Sequence, residues 1–198
     1  MKCAGGYEGK EANDALKNET MRSVMTGSGS PSAREQLEAI KSLSEVLDQE
    51  ELDFWLFGGW AVDFCVGAMT REHEDIDVAA WRHDYEAIKE ALEAAGWRHA
   101  PVADEVVGTR YRMGSAEAEF TFVIADDEGR VVVPRPEHPI MWAEESFGYE
   151  RRELHGVATR TVPLALLRDG KSVPREDEAG GAKDRADYDA LMRVEDTS

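Results

Sequence analysis

Two aspartates, Asp75 and Asp77, stand on either side of Ile76 at the start of the apolar run 78–80. Alternate side chains on a β-strand point to the same face, so this spacing places both carboxylates on one face. Unpaired carboxylates in a mostly apolar strand are costly, and a bound cation is the simplest way to offset that cost. Mg²⁺ suits such a pair, because it takes oxygen ligands and keeps waters and substrate phosphates. The alternative is an acidic pair on a solvated strand face.

A glycine pair, Gly58 and Gly59, lies between the apolar run 54–57 and the apolar segment 60–66. We interpret the run as a buried strand and the segment as a short helix that Gly67 ends. Glycine lets a ligand approach the backbone, and the start of a helix directs its amides toward an anion such as phosphate. The pair fits neither a Walker motif nor the dinucleotide fingerprint, so by itself it is equally a tight turn. Combined with the two aspartates, it predicts a phosphate-and-metal site.

A site for two metal ions needs a third carboxylate from another strand. Glu119 is the best candidate, since it lies in the predicted strand 118–125, and Glu117 on the same face is the runner-up. A carboxylate at this place also serves as a base, because a hydroxyl nucleophile must lose its proton as it attacks phosphorus. The alternative is an exposed strand glutamate with no role in chemistry.

Three basic or imidazole side chains are further candidates for contact with phosphate. Arg71 and His73, in the predicted loop 68–73, would neutralise a triphosphate or stack on a base, although surface loops commonly hold such residues. Lys183 in the predicted final helix 182–194 would reach a phosphate, or pair with Asp187 one turn later, which is the favoured interpretation. Asp63 in the glycine-led helix is either structural or a support for the site.

The composition limits the classes of partner. The 198 residues include 23 basic and 41 acidic groups, for a formal charge of −18. Such a surface repels nucleic acid and attracts small cations, although acidity also serves solubility. The two cysteines, Cys3 and Cys65, are far apart, which disfavours a disulfide framework and favours a reducing compartment. We find no apolar run that predicts a membrane span or a secretory signal, so the expectation is a soluble cytoplasmic protein without membrane contact.

The order of patterns predicts a flexible arm, a core and a helical end. Residues 1–30 are polar and form the arm, and residues 31–162 form a mixed α/β core that opens with a helix after Ser32. Asp84 is expected to cap the next helix, and His155-Gly156 to turn a hairpin. Residues 163–198 form a helical portion packed on the core: a short helix over 164–167 ended by Asp169-Gly170, a charged loop over 170–181 and the final helix.

Residues 58–78 resemble the antibiotic nucleotidyltransferases that act on the 2″-hydroxyl of aminoglycosides and on lincosamides, within the DNA polymerase β-like nucleotidyltransferase superfamily. The shared pattern is Gly-Gly-Trp, an acid three positions later, Gly, and then T-R-E-H-x-D-I-D. The resemblance continues more weakly over 118–129, where Glu119 stands in the place of the usual Asp, and over 154–167 and 183–191. The matches together run from residue 54 to about 193.

The resemblance implies an α/β (α+β) fold with a polymerase β-like mixed sheet flanked by helices and a small C-terminal helical portion. It implies transfer of AMP from ATP to a hydroxyl of a small cationic antibiotic, an aminoglycoside ahead of a lincosamide, with release of pyrophosphate. Asp75 and Asp77 would bind two Mg²⁺ ions, and Glu119 would ligate one of them and act as the base. Gly58 and Gly59 would hold the triphosphate. Two alternatives stay open: a toxin-like nucleotidyltransferase with a macromolecular target, and a non-catalytic homologue that binds a nucleotide.

Overall fold

The computed structural model describes residues 31–135, 140–142 and 147–194, so the arm predicted over 1–30 lies outside the described residues. The helices are α1 (Ala33–Gln49), α2 (Gly58–Val66), α3 (Tyr85–Ala94), α4 (Leu164–Ser172) and α5 (Glu178–Leu191), with a 3₁₀ turn at Arg82–Asp84. The strands are β1 (Phe54–Leu56), β2 (Ile76–Trp81), β3 (Arg98–His99), β4 (Gly108–Met113), β5 (Ala116–Ala125), β6 (Val131–Val133), β7 (Ile140–Trp142), β8 (Arg151–Leu154) and β9 (Val157–Arg160).

The first seven strands form one mixed sheet, and β8 and β9 form a separate hairpin. The strand order of the mixed sheet is β1-β2-β5-β4-β3, with β6 paired to β5 and β7 paired to β6. Strands β2 and β5 run parallel, while the other pairs of this sheet are antiparallel. The parallel pair matters most for function, because it sets the neighbours of the two-aspartate segment.

Hydrophobic patterning explains how these elements pack. On β5, Ala118, Phe120 and Phe122 are buried, whereas Glu117, Glu119 and Thr121 lie on the more open face, which confirms the predicted alternation. Helix α1 begins with a capping box between Ser32 and Glu35 and buries one apolar stripe against the core. The members of that stripe with no exposed surface are Ala39, Ile40, Leu43 and Leu47.

The C-terminal helices depart from the sequence prediction at their ends. Helix α4 continues through Asp169-Gly170 to Ser172, and α5 begins at Glu178, so the predicted loop 170–181 shrinks to residues 173–177. Two side chains account for this: Lys171 reaches α5, and Asp177 caps α5 by accepting from the Gly180 amide at 2.7 Å. Helix α4 packs on α5, and both contact α2, while the predicted domain division at 162/163 stays a prediction.

Turns and short strands give a mixed outcome. His155 and Gly156 both adopt left-handed φ values, 50° and 78°, and form the predicted hairpin turn. Asp84 precedes α3 as expected, but in the described structure its side chain makes no capping hydrogen bond, since the 3₁₀ turn leads directly into the helix. The sequence analysis missed β3 and β7, which are two and three residues long and too short for a periodic pattern. No helix in the described ranges is long and apolar enough to cross a membrane.

Candidate active site

Asp77 and Glu119 lie side by side on the neighbouring strands β2 and β5. Their Cα atoms are register partners, and Asp75 lies just before β2. Glu117, the runner-up, lies one residue before the β2–β5 register begins at Ile76 and Ala118, and it forms ion pairs with Arg112 and Arg110. Strand pairing therefore selects Glu119 as the neighbour of the two-aspartate segment. In the described part of the chain, no three His, Cys, Asp or Glu side chains already converge as a ready-made metal site.

Neighbouring carboxylates influence the ionisation of Asp77 and of Glu119. Burial, followed by the charges of Asp75 and Glu119, raises the pKa of Asp77 to about 7. Burial also raises the pKa of Glu119, although Arg110, whose Nε lies 2.7 Å from Glu119 Oε1, acts in the opposite direction. A divalent cation would relieve this repulsion, and an all-oxygen donor set is the kind that Mg²⁺ takes. The residues present therefore fit Mg²⁺.

The glycine pair forms the first turn of α2 and not a loop before it. Gly58 has φ of 66°, and a Cβ placed there would fall on the carboxylate of Asp77. A Cβ at Gly59 would lie 2.5 Å from both Arg71 Nη2 and His73 Nδ1. The pair is glycine because an acid and a basic cluster pack directly against its backbone, at a helix start that presents amides to the same cleft.

His73 connects Arg71 to Asp63 in the loop before β2. Its side chain is 2% exposed, with Nε2 2.7 Å from Asp63 Oδ2 and Nδ1 3.0 Å from Arg71 Nη1. A guanidinium only donates, so Nδ1 is the acceptor and Nε2 carries the hydrogen that Asp63 receives. The ring packs on Trp60, with centroids 4.7 Å apart. The predicted contact of His73 with a base or a phosphate does not fit this burial, and its geometry orients Arg71 instead.

Asp63 is the buried anchor of this loop. Its Oδ1 accepts from the Thr70 amide at 3.0 Å and from the Thr70 hydroxyl, while Oδ2 accepts from His73. We expect Asp63→Asn to lower the free energy of unfolding by about 2 kcal/mol. The N–H₂ group of the asparagine would replace one of the two accepting oxygens and would face a hydrogen-bond donor, either Thr70 or His73. The imidazole cannot relieve this conflict by changing tautomer, since its other nitrogen already accepts from Arg71. Urea unfolding measures the change, and an unchanged midpoint would contradict the anchoring role.

The predicted pair between Lys183 and Asp187 is wrong. Lys183 Nζ lies 2.8 Å from Glu74 Oε1, whereas Asp187 binds Arg71 and Lys171. The cause is burial: Asp187 has no exposed surface, and its carboxylate takes the cations that converge on it inside the fold. Lys183 lies at the cleft wall, as a phosphate contact would require.

A cleft of about 800 Å³ joins these groups. Its lining includes the glycine pair, the three carboxylates and several cations, among them Lys171 and Arg175, which sequence reasoning missed. Both lie in the segment interpreted as a loop, and only the packing of α4 on α5 brings them to the site. The lining also includes apolar side chains, among them Phe57, Met141, Trp142, Leu166 and Val173.

A family model described as aminoglycoside-2''-adenylyltransferase matches residues 39–145, more than half of the chain. The chain belongs to this family. Among curated relatives of this family member, a 2''-aminoglycoside nucleotidyltransferase from Escherichia coli is 38% identical over 60 residues, covering 29% of this chain and 34% of the relative. A lincosamide resistance protein from Staphylococcus haemolyticus is 30% identical over 105 residues, covering 49% of this chain and 62% of that protein. The matches thus span about a third to three fifths of these relatives.

Solved structures of similar shape confirm the predicted nucleotidyltransferase fold. The lincosamide antibiotic adenylyltransferase LnuA, lincomycin-bound, superposes with a TM-score of 0.61 at 16% identity, over 84% of this chain and 100% of that chain. ANT(2'')-Ia in complex with adenylyl-2''-tobramycin gives a TM-score of 0.57 at 21% identity, over 79% and 87% of the two chains. At these identities the likeness shows the fold alone.

Proposed function

We propose that this protein is a Mg²⁺-dependent adenylyltransferase that moves AMP from ATP to a hydroxyl of a small antibiotic, an aminoglycoside in the first instance. The observation that carries this proposal is the parallel register of β2 and β5, which sets Glu119 beside Asp77, whose carboxylate packs against Gly58 at the start of α2. Membership of the aminoglycoside-2''-adenylyltransferase family supports it. A cytoplasmic location follows from the use of ATP.

The carboxylates and the glycine amides of the cleft have separate tasks in this proposal. Asp75, Asp77 and Glu119 would hold Mg²⁺, which supplies positive charge to the phosphates when bound. The amides of Gly58 and Gly59 donate to phosphate oxygens at the start of α2. Holding the donor and the acceptor hydroxyl in line provides most of the acceleration, because phosphoryl transfer depends mainly on positioning and charge.

Glu119 is the proposed base. Its Oε1 is engaged by Arg110 Nε at 2.7 Å, so Oε2 takes the proton of the acceptor hydroxyl. The hydroxyl oxygen forms a bond to the α-phosphorus as the bond from that phosphorus to pyrophosphate breaks. Burial raises the pKa of Glu119, which makes the carboxylate a better proton acceptor near neutral pH.

A lincosamide is the second candidate acceptor. The apolar side chains in the cleft lining, among them Phe57, Trp142 and Leu166, suit an acceptor that carries an apolar group. The match to the lincosamide resistance protein is also longer than the match to the aminoglycoside enzymes, 105 against 60 residues. The formal charge of −18 favours a cationic acceptor, and both antibiotic classes carry amines.

The proposal is tested with purified protein, ATP and Mg²⁺, incubated with an aminoglycoside, a lincosamide or no acceptor. Pyrophosphate release and the product mass report transfer, and EDTA removes the metal as a control. The proposal expects a mass gain of one AMP on one antibiotic class. Labelling of a macromolecule would favour a toxin-like activity, and ATP binding without turnover would favour a non-catalytic homologue.

Substitution of the two glutamates on β5 tests the base. We expect Glu119→Gln to lower kcat by about 100-fold to 1,000-fold with little change in KM, because the amide cannot accept the proton. Glu117→Gln should keep most of the rate, because Glu117 pairs with Arg112 and lies outside the cleft lining. Steady-state kinetics at saturating ATP gives both values. A larger loss in Glu117→Gln would contradict the assignment based on register.

A further inference from the structure

Two buried aspartates on α5 hold cations of the cleft. Asp187 has no exposed surface and receives Arg71 in a two-point pair, Nε to Oδ1 at 2.8 Å and Nη2 to Oδ2 at 3.0 Å. Lys171 Nζ lies 3.0 Å from Asp187 Oδ2 and 2.7 Å from Asp184 Oδ1. One turn of helix therefore connects the loop before β2 to the last turn of α4.

Asp184 also fixes the segment between α4 and α5. Its Oδ2 accepts from Arg175 Nε at 2.9 Å and from the Arg175 amide at 3.0 Å, while Oδ1 lies 3.2 Å from Nη2. Burial alone would raise the pKa of Asp184, but hydrogen bonds from Lys171 and Arg175 outweigh it and lower the pKa to about 2. The carboxylate is therefore ionised at neutral pH and binds both Lys171 and Arg175.

The bound cations Arg71 and Lys171 each retain an N–H that these aspartates do not take. Arg71 Nη2 carries two hydrogens, and Asp187 accepts one of them; the same nitrogen would lie 2.5 Å from a Cβ at Gly59. Lys171 carries three hydrogens, of which Asp184 and Asp187 take two. Both side chains line the cleft that the start of α2 faces. Donors from α4 and the loop thus meet helix amides where a phosphate chain would run.

We propose that Asp187 is a positioning residue for the triphosphate: it orients Arg71 and Lys171 beside the start of α2, and Asp184 does the same for Lys171 and Arg175. This inference rests on the proposed function, because it requires a nucleoside triphosphate in the cleft. A purely structural ion-pair network would support the fold but would not distinguish ligands by phosphate number. Positioned cations act on the phosphates, so their loss weakens ATP binding more than AMP binding.

The test compares the Kd of ATP with that of AMP, each with Mg²⁺, by calorimetry. Asp187→Asn keeps the size of the side chain but removes its charge and turns an N–H₂ toward donors. We expect the Kd of ATP to rise about tenfold, and that of AMP to stay within about twofold. Asp184→Asn should raise the Kd of ATP about threefold. Asp189→Asn, at an exposed position of the same helix, is the matched control and should change neither.

Urea unfolding of each variant separates binding from folding. A parallel loss of ATP and AMP affinity, or no loss of either, would overturn the positioning role. If Asp187→Asn does not fold, the Kd values of ATP and AMP are compared in Asp184→Asn instead. In one outcome, the wild type transfers AMP to an antibiotic while the ratio of the Kd of ATP to the Kd of AMP stays unchanged in both variants. That result would overturn the positioning role and leave the proposed function standing. If the ratio of the two Kd values changes as expected but the wild type transfers AMP to no antibiotic, the positioning role stands and the proposed function is overturned.

Discussion

Asp77→Asn should abolish adenylyl transfer, with a rate loss of at least about 10³-fold, and yet make the metal-free protein more stable. The loss of rate follows because the asparagine removes one of the negative charges that would hold Mg²⁺. The gain in stability follows because partial burial, followed by the charges of Asp75 and Glu119, raises the pKa of Asp77 from 3.8 to about 7 in the folded protein.

The sign of the pH effect follows from proton binding. Between pH 3.8 and about 7, the folded protein keeps a proton on Asp77 that the unfolded chain has released. The free energy of unfolding of the wild type therefore decreases as the pH rises through this range, and the ionised carboxylate costs the folded state most above pH 7. Asparagine cannot ionise, so the variant should be more stable by about 2 kcal/mol at pH 8 and by little at pH 4.

Urea unfolding at both pH values, in EDTA, measures this difference, and pyrophosphate release measures the rate. Asp127→Asn, at an exposed position in the β5–β6 turn, serves as the control for loss of one negative charge. The control should keep both the rate and the pH dependence of the wild type. Near-full activity of Asp77→Asn would contradict the metal assignment, and a stability gain that is equal at pH 4 and pH 8 would contradict the pKa argument.

Gly58→Ala should lower the free energy of unfolding by about 3 kcal/mol and reduce the transfer rate at least about 100-fold. The new Cβ would fall on the carboxylate of Asp77, in a backbone conformation with φ of 66° that L side chains rarely adopt. Either Asp77 or the first turn of α2 must move, and each change displaces a group that the proposed reaction uses.

Gly67→Ala is the matched control for this substitution, since Gly67 at the other end of α2 has φ of 75° and no atom within 4 Å of an added Cβ. It should lower stability by about 1 kcal/mol, the cost of the left-handed backbone, and keep the rate. Comparing the two variants by urea unfolding and kinetics isolates the collision with Asp77. Equal effects at both positions would show that backbone strain alone is responsible.

Local rules predicted the parts of the site that lie close together in sequence. Alternation placed Glu119 and Glu117 on one face of β5, and the end of α2 at Gly67 followed from the left-handed conformation that glycine adopts. Alternation cannot choose between Glu117 and Glu119, because both satisfy it equally. The choice depends on the register of β2 against β5, which the packing of the whole sheet fixes.

The wrong prediction of a pair between Lys183 and Asp187 shows that a local rule can also fail within one helix. The i,i+4 rule treats Lys183 and Asp187 as neighbours on one helix, which is correct for an isolated helix in water. In the folded protein Asp187 is buried, and a buried carboxylate takes the partners that packing brings to it, Lys171 and Arg71, the latter 116 residues away. Arg110 reaches Glu119 in the same way, through the pairing of β4 with β5.

The sequence by itself determined the family and predicted the first half of the candidate site: the acid pair at 75 and 77 and the glycines that admit a close approach. These features depend on spacings of a few residues, where strand and helix geometry leave few alternatives. Only the tertiary structure decided which carboxylate joins Asp77 and which cations face the cleft. Strand register and the packing of α4 on α5 set those contacts, and both arise from the burial of apolar surface by the whole chain.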